Sequence, residues 1–370
     1  MNIGWFTVRQ WADLCSTTTD ALAHGMVNNG HHLTIFNHDP ADAHSNAPWH
    51  HVHLKRSERR GFHARSLAKS AARWLATSPQ AADLQVVLVD WPLLPALMPS
   101  LARLNRPVVL VDRSPPADDG WLGKLQWKVW RRAWNCLRYG RIQAGIVVSP
   151  AHARFVVTRT GVREASVHAV PAGVDVNAFK PQPTSPTPLR LVYHGRLDKN
   201  RGVLALPMLV HRLHQDGVEA ELTLIGEGDG VPGLRDLAVQ HPWLTLVPTV
   251  PHDALPAELA NHHVGLLPMP DTKVWRLASP LKRGEYLAAG LLVLGIDHDG
   301  HRLEGSHEAW YRLLPQEDFL VDGTAWLRQL DEAALTTGSK AARDLAETSC
   351  SWTSSVEVLE ALLQSFNSES

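Results

Sequence analysis

Cysteine is scarce in this chain. Cys15, Cys136 and Cys350 are odd in number, far apart and form no CxxC pair, which argues against a disulfide framework or a zinc knuckle. No apolar run approaches the ~20 residues that a membrane-spanning helix needs. The opening MNIGWFTVRQW lacks a basic start followed by a long apolar core, so no signal peptide is read there and a cytoplasmic location is expected. The phosphate-binding lysine motif of ATPases is missing. GEGDG, Gly226 to Gly230, lacks the GxGxxG spacing of a dinucleotide fingerprint and reads as a turn. No carboxylate pair of the hydrolase kind stands out. Tyrosine is rare, four residues against 14 tryptophans, many of which lie in the first half.

Charge of one sign is lacking only on average. The net charge is −1, yet residues 1–183 carry 21 Lys+Arg against 12 Asp+Glu, a balance of +9, and the remainder carries −10. A basic half beside an acidic half suggests that one domain meets an anionic partner. At 370 residues, 44% hydrophobic and 20% charged, the chain reads as a soluble globular protein of two domains.

Short apolar runs alternate with helix-like segments. Strands are expected at 2–8, 31–36, 83–89, 107–111, 143–148 and 166–170. The polar stretch CSTTTD, Cys15 to Asp20, is expected to be a turn leading into a helix that ends near Gly30, and another helix is expected from Ser149. Residues 171–188 contain five prolines and read as a linker. The pattern then restarts, with strands at 189–194, 220–225, 244–247, 264–267 and 291–296 and a last helix near 353–366. Such alternation predicts doubly wound parallel sheets, which bind ligands at the carboxyl ends of their strands. The domains expected are 1–170, a hinge over 171–188, 189–350, and a C-terminal helix within 351–370 that packs back on the first domain.

Two segments carry the chemistry. SPLKRGEYLAAGLLVLG, Ser279 to Gly295, places a capping serine and Pro280 before a short helix that stops near Gly290. The unpaired N–H groups of its first turn suit a phosphate. Glu285, about 7 Å further along at ~1.5 Å per residue, suits a hydroxyl at the other end of the same ligand; the alternative is a capped core helix. HGRLDKNRG, His194 to Gly202, puts Gly195, Arg196 and Arg201 at the end of a strand. Two guanidinium groups there suit a diphosphate, or a solvated surface.

Three further stretches leave alternatives open. In WLGKLQWKVWRRAWNCLRYGR, Trp121 to Arg141, Trp127, Trp130, Trp134 and Leu137 share one helical face, opposite Lys124, Lys128, Arg131, Arg132 and Arg138. Such a helix either lies on an anionic membrane or holds a lipid-linked acceptor, or packs its tryptophans on a sheet. The basic run Lys55 to Arg65 adds to the positive field and suits an anionic acceptor. Seven histidines fall between His31 and His53, and His51 and His53 share a strand face as a conceivable metal pair, without a complete ligand spacing.

The strand–GRL–basic–Gly segment, followed by SPLKxxEYLAAGLxV, resembles the retaining nucleotide-sugar glycosyltransferases of family 4, which have the GT-B fold: two Rossmann-like domains facing each other across a cleft. VVSPAHARFV, Val147 to Val156, and VHAVPAGVDVNAF, Val167 to Phe179, resemble the family's segments before and at the hinge. The opening strand, turn and helix resemble its acceptor-side unit. The resemblance implies transfer of a sugar from a UDP- or GDP-linked donor, with retention, by an enzyme of the EC 2.4 class. Arg196 and Arg201 would bind the donor diphosphate and Glu285 its ribose. Ser279, Pro280 and Leu281 would supply first-turn contacts, and the backbone near Val250 would meet the base. Ser16, Thr17 and Thr18 would lie on the acceptor side. No cofactor or metal is required under this reading, and nucleic acid is not expected as a partner. The acceptor is left open among a glycan, a lipid-linked and a small molecule, with a peripheral place at the inner membrane face implied if the tryptophan helix touches lipid.

Three departures from the family stand out. Leu277 occupies the position of the family's first, sugar-contacting glutamate, which transfers that role to Asp271, Lys273 or Arg276 or changes it. Ala172 replaces the hinge asparagine. The family's N-domain histidine has no counterpart, leaving Asp90, Asp112 and Arg113 as secondary catalytic candidates. The rival readings are a sugar-nucleotide epimerase of the same fold and a catalytically silent binding module.

Overall fold

The computed structural model describes residues 1–11, 16–59, 61–116, 120–182 and 185–366. The chain divides into two compact units, residues 1–171 with 355–370, and residues 172–354.

The first unit holds β1 (Asn2–Phe6), β2 (His32–Asn37), β3 (His50–His53), β4 (Val86–Asp90), β5 (Val108–Asp112), β6 (Ala144–Val147) and β7 (Val167–Ala169). All pair in parallel, in the order β3-β2-β1-β4-β5-β6-β7. β4 and β5 are the same pentapeptide, VVLVD, side by side and wholly buried. Strands covered on both faces need a continuous apolar run, and β-branched valine supplies it. Helices α1 (Ser16–Asn28), α2 (His63–Thr77), α3 (Leu94–Leu104), α4 (Trp121–Arg138) and α5 (Pro150–Thr160) connect the strands. The Ser149 hydroxyl caps α5 by accepting from the His152 N–H at 3.0 Å.

The second unit repeats the architecture. Its strands are β8 (Leu189–His194), β9 (Ala220–Ile225), β10 (Leu244–Val247), β11 (Val264–Leu267), β12 (Leu292–Ile296) and β13 (Tyr311–Leu314), in the order β10-β9-β8-β11-β12-β13. Its helices are α6 (Ala205–Gln215), α7 (Val231–Gln240), α8 (Leu255–Leu259), α9 (Lys273–Arg276), α10 (Leu281–Ala288), α11 (Val321–Leu327) and α12 (Glu332–Ser349). Arg343 of α12 donates to the carbonyls of Val176, Phe179 and Ala288, fastening the start of the proline-rich segment to the end of α10. The last helix, α13 (Trp352–Ser365), belongs to the first unit from Ser355 onward. Val356, Leu359, Leu362 and Leu363 are buried with Leu22 and Met26 of α1, and Glu360 lies 2.8 Å from His31.

Several expectations are corrected. The stretch Cys15 to Asp20 is not a turn: Ser16 to Asp20 already form the start of α1, while Cys15 lies outside the described residues, as does the side chain of Ser16. β1 stops at Phe6 because the Thr7 hydroxyl and the Val8 N–H turn to the Asp90 carboxylate, at 2.7 and 3.0 Å. The fourth strand begins at Val86, since Pro79–Asp83 form a 3-10 turn. The tryptophan face of α4 is not free for a membrane. Trp130 and Trp134 are fully buried, Trp127 packs beside them, and both buried indoles donate to Oδ2 of Asp112, at 2.6 and 3.0 Å. His51 and His53 are no metal pair: His51 bonds the Asn37 side-chain oxygen at 2.8 Å and His53 bonds the Asp39 carbonyl at 2.8 Å. No helix among the described residues is long and apolar enough to cross a membrane.

Candidate functional site in the second unit

In a doubly wound sheet the ligand crevice opens where the strand order reverses. In the second unit that point lies between β8 and β11. β8 is buried except at Arg190 and delivers His194 to its carboxyl end. Gly195 follows with φ +110, and Gly226, after the neighbouring β9, has φ +139. The two turns touch: a Cβ on Gly226 would stand 1.9 Å from the Gly195 carbonyl oxygen. Only glycine allows both the left-handed backbone and this approach.

The turn after Gly195 carries both predicted arginines, and an acid that sequence reasoning overlooked holds them. Arg196 grips Asp198 through Nε at 3.1 Å and Nη2 at 2.9 Å. The Nε of Arg201 lies 3.7 Å from the same carboxylate, and its guanidinium sits 4.7 Å over the Trp275 ring. The Arg196 hydrogen bond holds the Asp198 carboxyl below its usual range. Arg196 stays half exposed, so its outer edge remains available to a ligand.

α10 forms the facing wall. Ser279 does not cap it. Pro280 is the N-cap residue, with extended ψ of 129°, and the helix starts at Leu281. Proline fixes φ and has no N–H to orphan, while the Ser279 hydroxyl is occupied in accepting from the Ala172 N–H at 3.1 Å. The helix ends as expected near Gly290, which turns at φ +73. Tyr286 anchors it from below: its hydroxyl accepts from the His194 N–H at 3.3 Å, and its ring covers Gly265 of β11.

Glu285 is 2% exposed. Its Oε1 accepts from Nε2 of His252 at 2.9 Å, and its Oε2 lies 3.1 Å from Nε2 of His194. Burial alone would raise this carboxyl, but the histidines beside it bring it down to about 2. The hydrogen bond to Glu285 raises His252 above the usual imidazole range. Burial pushes His194 the other way, against the opposing pull of the Glu285 carboxylate. An ionised carboxylate is thus kept at the strand end with an oxygen that lacks a well-aligned donor, an acceptor ready for hydroxyls.

The other candidates divide. Val250 lies in the loop between β10 and His252, and nearby Val247, Pro248, Leu197 and Gly226 line a cavity of about 350 Å³. Leu277 caps α9 as a buried apolar residue, while Asp271 is paired with Arg276, one contact being 2.6 Å. In the first unit, Thr17 and Thr18 sit half-buried in the first turn of α1. Asp90 and Asp112 are engaged by Thr7, Trp5, Trp130 and Trp134, and Arg113 bonds the Val170 carbonyl at 3.0 Å. Arg59 and Arg65 of the basic run line a cavity of about 680 Å³ with Lys69 and Phe62. His194, Asp198 and His252 escaped the sequence reading. The signal for His194 was its place at the end of a buried strand, and for Asp198 its position two and three residues from the arginines; His252 had none.

These two Rossmann-like halves define a GT-B protein. The family described as Glycosyltransferase Family 4 matches residues 16–178, and the one described as Glycosyl transferases group 1 matches residues 188–329. With a glycosyltransferase family on each half, the chain is a GT-B glycosyltransferase. No curated protein matches it in sequence. Among solved structures, sucrose-phosphate synthase from Thermosynechococcus elongatus shares 16% identity, covers 100% of both chains and has a TM-score of 0.77. Anabaena HepE in complex with UDP shares 14% identity over 99% of this chain and 100% of its own, with a TM-score of 0.73. A glycosyltransferase from Rickettsia africae shares 11% over 100% and 99%, with a TM-score of 0.76.

Proposed function

We propose that the second unit binds a UDP- or GDP-linked sugar and that the enzyme transfers the sugar, with retention, to an acceptor held by the first unit. The observation that carries this is the convergence of two sequence-distant segments: the turn holding Arg196 and Arg201, and α10 holding Glu285, joined through His194. Arg196 and Arg201 take the diphosphate, oriented by Asp198. The first-turn amides at Leu281 and beyond face the same anion, next to Ser279 and Pro280. Glu285 accepts from the ribose hydroxyls, and the backbone near Val250 meets the base. HepE, which has the same fold, is known in complex with UDP, and this favours a nucleotide ligand for the present chain.

Under this reading the reaction needs charge stabilisation more than proton transfer. As the sugar–oxygen bond breaks, negative charge builds on the leaving diphosphate, and fixed cations aimed at that charge lower the barrier. The acceptor hydroxyl attacks on the face the diphosphate leaves and gives up its proton to the departing phosphate oxygen, which preserves the anomeric configuration. Thr17 and Thr18, in the first turn of α1, are the acceptor-side residues of this proposal.

Calorimetry with UDP, GDP and their sugars tests donor binding, and NMR of the product's anomeric proton tests retention. The reading is overturned if no donor binds, or if Arg196→Ala and Glu285→Ala leave binding and turnover unchanged.

A further inference from the structure

Lys282 is the second residue of α10, and its chemical surroundings are unusual for a lysine. Its Nζ would stand 2.9 Å, and its Cε 3.0 Å, from a Cβ on Gly195, so the side chain fills the space that the glycine leaves open. The ammonium also lies 5.3 Å from the centre of the Tyr193 ring. It is thus folded back over the end of β8, into the same turn that carries Arg196 and Arg201.

Among the described residues no carboxylate lies within 4 Å of Lys282 and none forms a hydrogen bond with it. Glu285, one turn further along the helix, is held by His194 and His252 instead. The other two cations differ in this respect, since Arg196 and Arg201 share Asp198. Asp198, Asp229 and Glu227 all face Arg196 and offset the positive charge of the turn, whereas a sugar-linked diphosphate carries two negative charges. Lys282 is half-buried, and no carboxylate among the described residues claims its ammonium, so an incoming phosphate exchanges only water for the contact.

We propose that Lys282 is a phosphate-binding residue of the donor site, a third cation that contacts the diphosphate beside Arg196 and Arg201 and completes its neutralisation. This rests on the donor reading above and assigns that site a residue of its own. It also gives Gly195 a second reason to be glycine, because any side chain there would displace the ammonium.

The groups facing Lys282 are Arg201 from the turn, Glu285 from α10, Tyr193 and His194 from β8, and His301 from the loop after β12. Burial pushes the ammonium down to about 8, with Arg201 adding to the shift and Glu285 opposing it. The protonated form binds phosphate, so affinity holds below pH 8 and falls above it. The terminal phosphate of a nucleoside diphosphate, with its second pKa near ~6, stays ionised over this range, as do the arginines.

The test uses the full chain and compares a nucleoside diphosphate with its parent nucleoside, UDP with uridine and GDP with guanosine. Calorimetry reads the diphosphates and ligand-observed NMR reads the nucleosides. Lys282→Met is expected to weaken diphosphate binding about tenfold or more, the scale of one lost charge-assisted hydrogen bond, and to leave nucleoside binding in place. Lys282→Arg is expected to keep the affinity and to lose the fall between pH 7 and 9 that the wild type shows. Equal diphosphate affinity in wild type and Lys282→Met overturns the proposal, and so does a parallel loss of nucleoside and diphosphate, the mark of a structural role. A wild type that binds the nucleosides' diphosphates in neither series overturns this proposal and the donor reading together.

Discussion

The two units use one architecture to opposite ends. Each is a parallel sheet with helices between its strands, and each buries carboxylates near the carboxyl ends of its strands. In the first unit these acids are engaged by the side chains and backbone packed around them. Asp112 takes the indole N–H groups of Trp130 and Trp134, and Asp90 takes the Thr7 hydroxyl, the Val8 N–H and the Trp5 indole. In the second unit Glu285 is held by histidines, one of which, His252, keeps half its side chain exposed. Both indoles reach one oxygen of Asp112, with buried His152 3.4 Å from it, whereas Glu285 is held in part by a half-exposed imidazole within reach of a ligand.

The largest expected effect would come from the second unit. Glu285→Gln keeps the shape and removes the charge, and should lower donor turnover about 100-fold, on the scale of two weakened hydrogen bonds to a charged acceptor. Steady-state kinetics across a donor panel checks it, and an unchanged rate would erase the contrast with Asp112. On the first unit's side, Trp134→Phe strips one donor from buried Asp112 and leaves a gap, so it should cost about 2–3 kcal/mol of stability. Donor affinity should not move. Chemical denaturation together with calorimetry separates the two readouts, and a stable variant with impaired donor binding would reverse the roles given to the units.

Gly195→Ala should have a smaller effect. It forces a Cβ into the left-handed region and against Lys282, so donor affinity should fall about tenfold with a stability loss near ~1 kcal/mol. The smallest expected effect is the pH dependence carried by His252. Its pKa is raised in the fold, so its pairing with Glu285 stabilises fully below the unfolded value of about 6.5 and is lost as pH rises through the folded value. The stability gap between wild type and His252→Ala should therefore narrow as pH rises above about 6.5, and a constant gap would detach His252 from the ion pair.

Much of the fold was legible because buried parallel strands must be continuous apolar runs. The strands at 189–194, 220–225, 244–247 and 264–267 match the observed β8 to β11 residue for residue. Less regular pieces were not legible. β13, Tyr311–Leu314, is an edge strand of ordinary composition. The serines and threonines of Ser16 to Asp20 looked like a turn, yet their backbones open α1. Ser279 looked like a cap, but capping depends on where the hydroxyl points, and here the Ala172 N–H claims it. The covering of α4 was hidden for a similar reason: a helical wheel shows a tryptophan face without showing that the sheet and Asp112 take Trp130 and Trp134.

The order of strands and helices, the two-unit division of apolar pattern, and the spacing of Gly195, Arg196, Arg201 and Glu285 follow from the sequence alone, because periodicity and turn chemistry act over a few residues. Which groups meet across 30 to 90 residues was decided only by the tertiary structure. His194, His252 and Glu285 become one cluster, and Lys282 comes to lie over Gly195 without a carboxylate partner among the described residues. Burial and charge pairing set the chemistry of each group, and both exist only once distant segments have been brought together.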